Sequence, residues 1–131
     1  MQQVINNIIV YTNHEGSAAG PLMDVVIGAT DLPIRVAHSH ERVQRFIRQV
    51  ITTETIIVFY AFDKNDLQFI RSLREKVKDT KLILVLPNNN KRTFSEGFLS
   101  YPHFITCPDN NFEDVSAVLK QIVKSNNYNE T

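Results

Sequence analysis

Residues 56–86 read IIVFYAFDKNDLQFIRSLREKVKDTKLILVL. An apolar run, Ile56–Tyr60, opens this stretch and a second, Leu82–Leu86, closes it. Neither alternates with polar residues, and both are rich in β-branched, aromatic and leucine side chains, as strands buried on both faces of a parallel sheet are. Between them, after Asp66, the residues Leu67, Ile70, Leu73 and Val77 recur at helical spacing. Strand, helix, strand with short joints is a βαβ unit, and its crossover is right-handed.

The same alternation continues outward on both sides. Toward the N-terminus, Ile8–Tyr11 and Ile34–Ala37 are strand-length apolar runs. Pro21 suits the first turn of a helix reaching about Gly28, with Leu22, Val25 and Val26 inward. Ser39 is an N-cap for a helix whose stripe is Val43, Phe46, Ile47, Val50 and Ile51. Toward the C-terminus, Lys91–Ser100 is a short helix containing Gly97, and Phe104–Cys107 is a fifth strand. The cap region Asp109–Asn111 then precedes Phe112, Val115, Val118, Leu119, Ile122 and Val123. The order predicts an α/β domain over 1–124, a doubly wound five-stranded parallel sheet of strand order 2-1-3-4-5 with helices on both faces. Residues 125–131 read as a flexible tail.

Composition narrows the setting. A chain of 131 residues, 43% hydrophobic and 21% charged, suits one globular domain with its own core. Fourteen basic residues balance fourteen acidic ones, so no global field draws in nucleic acid or an anionic membrane. The single Cys107 allows no internal disulfide, which points to the cytoplasm. No apolar run is long enough to span a bilayer, and the N-terminus lacks a signal-peptide pattern.

Residues 4–124, and Ile56–Leu86 most closely, resemble a response-regulator receiver domain. Phe104, followed three residues later by Cys107-Pro108, stands where that family has an aromatic and then a Lys-Pro pair. The resemblance implies aspartyl phosphorylation: two carboxylates after the first strand hold Mg²⁺, an Asp ending the third strand is the acceptor, a Ser or Thr ends the fourth and a Lys the fifth. Metal and lysine then neutralise the phosphoryl group in transfer. Here the acidic-pair positions fall on Thr12 and Asn13, the acceptor on Tyr60 (or Ala61), the hydroxyl on Leu86 (or Pro87) and the lysine on Cys107. The chain therefore resembles a pseudo-receiver without the phosphoacceptor Asp, and is expected to need no metal or other cofactor. Tyr60 is expected to fill the acceptor's space and to direct its hydroxyl toward Thr12 or Asn13.

Other residues offer rival chemistry. The loop Thr12–Gly20 lies between a strand and a helix, so His14, Gly16, Ser17 and Gly20 form a candidate anion loop, although it matches no phosphate-loop signature. The same loop faintly resembles that of mannose-type phosphotransferase IIA domains, which would make His14 a phosphate carrier. Asp63, on the loop after the third strand, is a displaced acceptor or a cap. His38, His40 and His103 read as cap and loop histidines, and Arg71, Arg74, Lys76 and Lys78 as a solvated helix face.

The expected function is non-catalytic: protein–protein contact in signalling or regulation, with a protein partner or a second copy of the chain. The receiver resemblance places the contact on the fourth helix, fifth strand and fifth helix, with Phe94, Phe98, Tyr101 and Phe104 as candidate interface residues. The alternatives are a phosphocarrier using His14 or Asp63 and a module binding a nucleotide or flavin at the sheet edge.

Overall fold

The computed structural model describes residues 4–13, 19–108 and 110–127. Strands β1 (Asn7–Thr12), β2 (Ile34–Ala37), β3 (Thr55–Tyr60), β4 (Lys81–Val85) and β5 (Phe104–Thr106) form one parallel sheet in the order β2-β1-β3-β4-β5. Helices α1 (Ala19–Ala29), α2 (His40–Ile47), α3 (Lys64–Lys76), α4 (Lys91–Phe98) and α5 (Glu113–Asn127) connect and follow them. Short 3-10 turns precede β3 and α5.

The central strands are continuously apolar over Ile8–Tyr11, Ile56–Tyr60 and Leu82–Val85 because each face meets helices. One core joins Ile8, Val10, Val58, Tyr60, Ile83 and Val85 to Leu22 and Val26 of α1 and Val115 and Leu119 of α5. The other joins Ile9, Tyr11, Ile57, Phe59, Leu82 and Leu84 to Val43 of α2 and Leu67, Ile70 and Leu73 of α3. Burying one such aliphatic side chain is worth about 1.5–3 kcal/mol, so the two cores supply the main driving force.

Three boundaries differ from the sequence-based expectation. α3 starts at Lys64, capped by Asp63, whose side chain accepts from the Asp66 amide. α5 runs to Asn127, past the expected end at 124, because nothing between 124 and 127 breaks a helix. α4 ends at Phe98 rather than Ser100, where the backbone turns toward a positive φ at Tyr101. Among the described residues no helix is long and apolar enough to cross a membrane.

Gly97 lets α4 lie on the sheet. A Cβ there would stand 2.8 Å from Ile105 Cδ1, 3.1 Å from Leu86 Cδ2 and 3.2 Å from Leu84 Cδ2, whereas one on Gly28 of α1 would meet nothing within 4 Å. Gly97→Leu is expected to cost about 1–3 kcal/mol in a urea titration through overpacking. Gly28→Ala is expected to add about 0.5–1 kcal/mol by removing unfolded-state entropy. Equal effects at the two positions would contradict this account of α4.

Candidate functional site

In a doubly wound sheet the loops at the strands' C-terminal ends carry function. Register puts Thr12, Tyr60, Val85 and Thr106 in one row across this edge. The backbone then continues through Ala61, whose amide donates to the Val85 carbonyl at 2.9 Å, and Leu86, whose amide donates to the Thr106 carbonyl at 2.7 Å. Tyr60, Ala61, Leu86 and Cys107 are all buried, so the middle of the edge is apolar. Tyr60 turns its ring to the α1/α5 face and meets Phe112 edge-on, with centroids 5.8 Å apart. Burial raises its pKa. Thr106 Oγ1 donates to Asp114 Oδ2 at 2.5 Å, tying β5 to the first turn of α5.

Polar side chains gather instead on the α2/α3 side, at the junction of β1 and β3. Asp66, in the first turn of α3, is buried. Its Oδ1 accepts from the Tyr11 hydroxyl at 2.8 Å and pairs with His40 Nε2 at 2.6 Å; its Oδ2 accepts from the Phe62 amide at 2.7 Å. The His40 ring stacks on Phe69 at 4.1 Å, and Tyr11 stacks on Phe59 at 4.4 Å. His38 Nδ1 lies 2.9 Å from the Thr12 carbonyl oxygen. Tyr11, His38, His40 and Asp66 line a shallow recess of about 310 Å³ with Asn13, Ser39, Asp63 and Asn65. Burial, and then the hydrogen bond from its hydroxyl to Asp66, hold Tyr11 well above the usual tyrosine pKa of 10.0. The carboxylate of Asp66 thus has a donor on each oxygen, and it pins the end of β1, the start of α2 and the β3–α3 loop together.

A second buried charge sits at the other end of α3. Arg74 is buried, which corrects its assignment to a solvated face. Its Nε donates to the Ser100 carbonyl at 3.0 Å, Nη2 to that of Tyr101 at 3.0 Å, and Nη1 to those of Thr80 and Val77. Desolvation lowers its pKa, and Asp79 opposes that shift.

The structure separates the sequence candidates. Thr12, Tyr60, Leu86 and Cys107 are buried along the edge, and Asn13 is exposed beside them. His14, Gly16 and Ser17 lie outside the described residues, while Gly20 falls in the first turn of α1. Asp63 is a helix cap. His40 joins the Asp66 network, and His103 is exposed on the loop before β5. Phe98 and Tyr101 are 55% and 80% exposed, whereas Phe94 and Phe104 pack against the two cores. Sequence reasoning missed Tyr11, Asp66 and Arg74. A signal existed for two of them: a tyrosine in a buried strand needs a partner for its hydroxyl, and Arg74 shares the inward spacing of Leu67, Ile70 and Val77.

No family model matches the chain, and no curated protein matches it. Among solved structures, the signal receiver domain of an HD domain-containing protein from Pseudomonas fluorescens Pf-5 superposes with TM-score 0.75 at 9% identity, over 95% of this chain and 98% of that one. The chain has the receiver fold. A putative pilus assembly-related protein from Burkholderia pseudomallei K96243 is similar with TM-score 0.69 at 18% identity, over 91% of this chain and 90% of that one. An atypical orphan response regulator, described by a phosphorylation-independent regulatory mechanism, is similar with TM-score 0.67 at 13% identity, over 90% and 95%. Against the receiver fold, the Asp66 network occupies the junction of β1 and β3 at the functional edge.

Removing Asp66 leaves the buried Tyr11 hydroxyl without its acceptor, so Asp66→Ala is expected to cost about 1–3 kcal/mol. Because Tyr11 is held above its usual pKa, its contribution is present below pH 10.0 and is lost as pH rises toward the folded-state value. Stability should fall above pH 10.0, and Tyr11→Phe should flatten that fall, Tyr60 keeping a smaller share. Denaturant midpoints measured across alkaline pH check the sign; an unchanged slope in Tyr11→Phe would refute it.

Proposed function

We propose that this chain is a pseudo-receiver: a non-catalytic, cytoplasmic signalling or regulatory domain that works through protein–protein contact on a preformed surface. One observation supports the reading: at the ends of β3, β4 and β5, Tyr60, Ala61, Leu86 and Cys107 are buried, and none of them is a carboxylate or a cation. That transfer depends on carboxylates, metal and lysine placed within contact distance. Mg²⁺ favours free carboxylates, whereas at this edge Thr12 is buried and neutral, Asn13 offers an amide and Asp63 is engaged in capping α3. Asp66, the nearest buried carboxylate, already accepts from Tyr11, His40 and the Phe62 amide. The orphan regulator of the same fold, described as phosphorylation-independent, supports the reading by analogy.

The contact surface is drawn on α4, β5 and α5. Phe98 and Tyr101 supply its exposed aromatics, and Phe94, 6.5 Å from Phe98 between ring centroids, backs them from the core. Phe104, half-buried against the first core, is a packing residue here, so no phosphate-driven movement of that ring is needed.

Two measurements test the proposal. After incubation with acetyl phosphate and Mg²⁺, intact mass should show no adduct of about 80 Da, and millimolar Mg²⁺ should leave Tm unchanged. Tyr60→Asp should stay unlabelled too. A stable adduct on the wild-type chain, at His14, Asp63 or elsewhere, would establish a phosphocarrier instead. Second, Phe98→Ala should weaken partner or self-association by about 1–2 kcal/mol while leaving Tm unchanged. Loss of stability with unchanged association would place Phe98 in the fold rather than the interface.

A further inference from the structure

A groove runs between α3 and the segment joining α4 to β5. Its larger part, about 440 Å³, is lined by Arg71, Arg74, Glu75, Lys78, Leu99 and Tyr101. A smaller recess of about 120 Å³ extends it toward Lys64 and shares Arg71 and Leu99 with it. Lys64 and Arg71 lie seven residues apart on α3 and share one side of the helix, and Lys78 follows just past its end. Across the two parts, Lys64, Arg71 and Lys78 face Glu75 and Glu96, while the Arg74 guanidinium lies buried behind them and bonded to backbone carbonyls.

The apolar side of the groove is exposed and held in place. Leu99 is 46% and Tyr101 80% exposed. Tyr101 has φ 53°, a left-handed conformation unusual for a residue with a side chain. Arg74 fixes it there: the guanidinium takes the Tyr101 and Ser100 carbonyls, while the Tyr101 amide donates to the Phe98 carbonyl at 3.0 Å. Ordering an aromatic anchor before binding lowers the entropic cost of association.

We propose that this groove docks an acidic peptide segment of a partner protein, one carrying a large apolar side chain. The apolar residue would lie on Leu99 and Tyr101, and flanking carboxylates would face Arg71 and Lys78. The proposal rests on the contact-based reading above and adds the chemistry of the partner. Charge complementarity selects an acidic occupant. Glu75 and the two apolar residues select a short amphipathic peptide over a nucleic-acid backbone, which needs a longer uniformly basic track.

The test is fluorescence anisotropy of the full chain with a labelled peptide of about ten residues, Glu and Asp throughout except for one central Phe. Saturable binding is expected, weakened about tenfold or more when the central Phe is Ala. The double variant Arg71→Glu/Lys78→Glu should lose at least about tenfold in affinity with Tm unchanged, and Tyr101→Ala about fivefold. Arg45→Glu, on exposed α2, should change neither affinity nor Tm. No saturable binding, equal binding of the Ala peptide, equal loss from Arg45→Glu, or equally tight binding of a labelled oligo-dT would each overturn the proposal. Such a failure leaves the phosphorylation and Phe98 results untouched, whereas an adduct in the acetyl phosphate experiment overturns the contact-based reading itself.

Discussion

Helix α3 carries one buried charge at each end, and much of the rest of the molecule is arranged to satisfy the two. A charge removed from water is tolerated only when hydrogen bonds replace its hydration. Asp66 in the first turn draws in the Tyr11 hydroxyl, His40 and the Phe62 amide. Arg74 in the last turn draws in four carbonyls, from Val77, Thr80, Ser100 and Tyr101. The carboxylate lies at the positive end of the helix dipole and the guanidinium at the negative end, so both also gain from the helix itself. Asp66 ties α3 to β1, α2 and the β3–α3 loop. Arg74 ties it to the turn before β4 and to the loop before β5. The central sheet is held by apolar burial, and these two groups add the polar ties that join α3 to the loops around it.

The same arrangement explains why the polar and apolar parts of the functional edge are segregated. Side chains alternate along each strand, so Tyr11 and Phe59 face α2 and α3 while Thr12 and Tyr60 face α1 and α5. The network belongs to the first pair. In the second, Tyr60 packs against Phe112, and the next residues along β3 and β4, Ala61 and Leu86, are apolar too. Hydrogen-bonding capacity is therefore spent on joining loops to strands, and the centre of the edge behaves as an extension of the core.

How much of this was legible in the sequence depended on whether the signal was local. The five strands read directly, because buried parallel strands leave continuous apolar runs that no solvated element shares. Topology followed from right-handed crossovers. The apolar character of Tyr60, Ala61 and Leu86 was visible as residue types at strand ends. Arg74 was not legible as a buried group: among Arg71, Lys76 and Lys78 it looked like one more solvated cation, and only its spacing from Leu67 and Ile70 pointed inward. Asp66 was hidden for a related reason. Its partners lie 55 and 26 residues away, and no local pattern reports a contact across that separation. The sequence left Asp63 as either a displaced acceptor or a cap, and it caps α3.

A phosphate-driven switch requires an element with two arrangements of similar free energy, biased by the added charge. Here the groups best placed to respond to a charge at the sheet edge are already committed to internal partners. A new arrangement would have to strip donors from a buried carboxylate, at a cost of about 1–3 kcal/mol for each partner lost. The loop that presents Tyr101 is bound in the same way, by a guanidinium whose hydrogen bonds would all have to be remade elsewhere. The proposed contact surface rests on these supports, which favour a single presentation of Tyr101. On the proposed reading, selectivity would come from the shape and charge of what binds beside the exposed Tyr101.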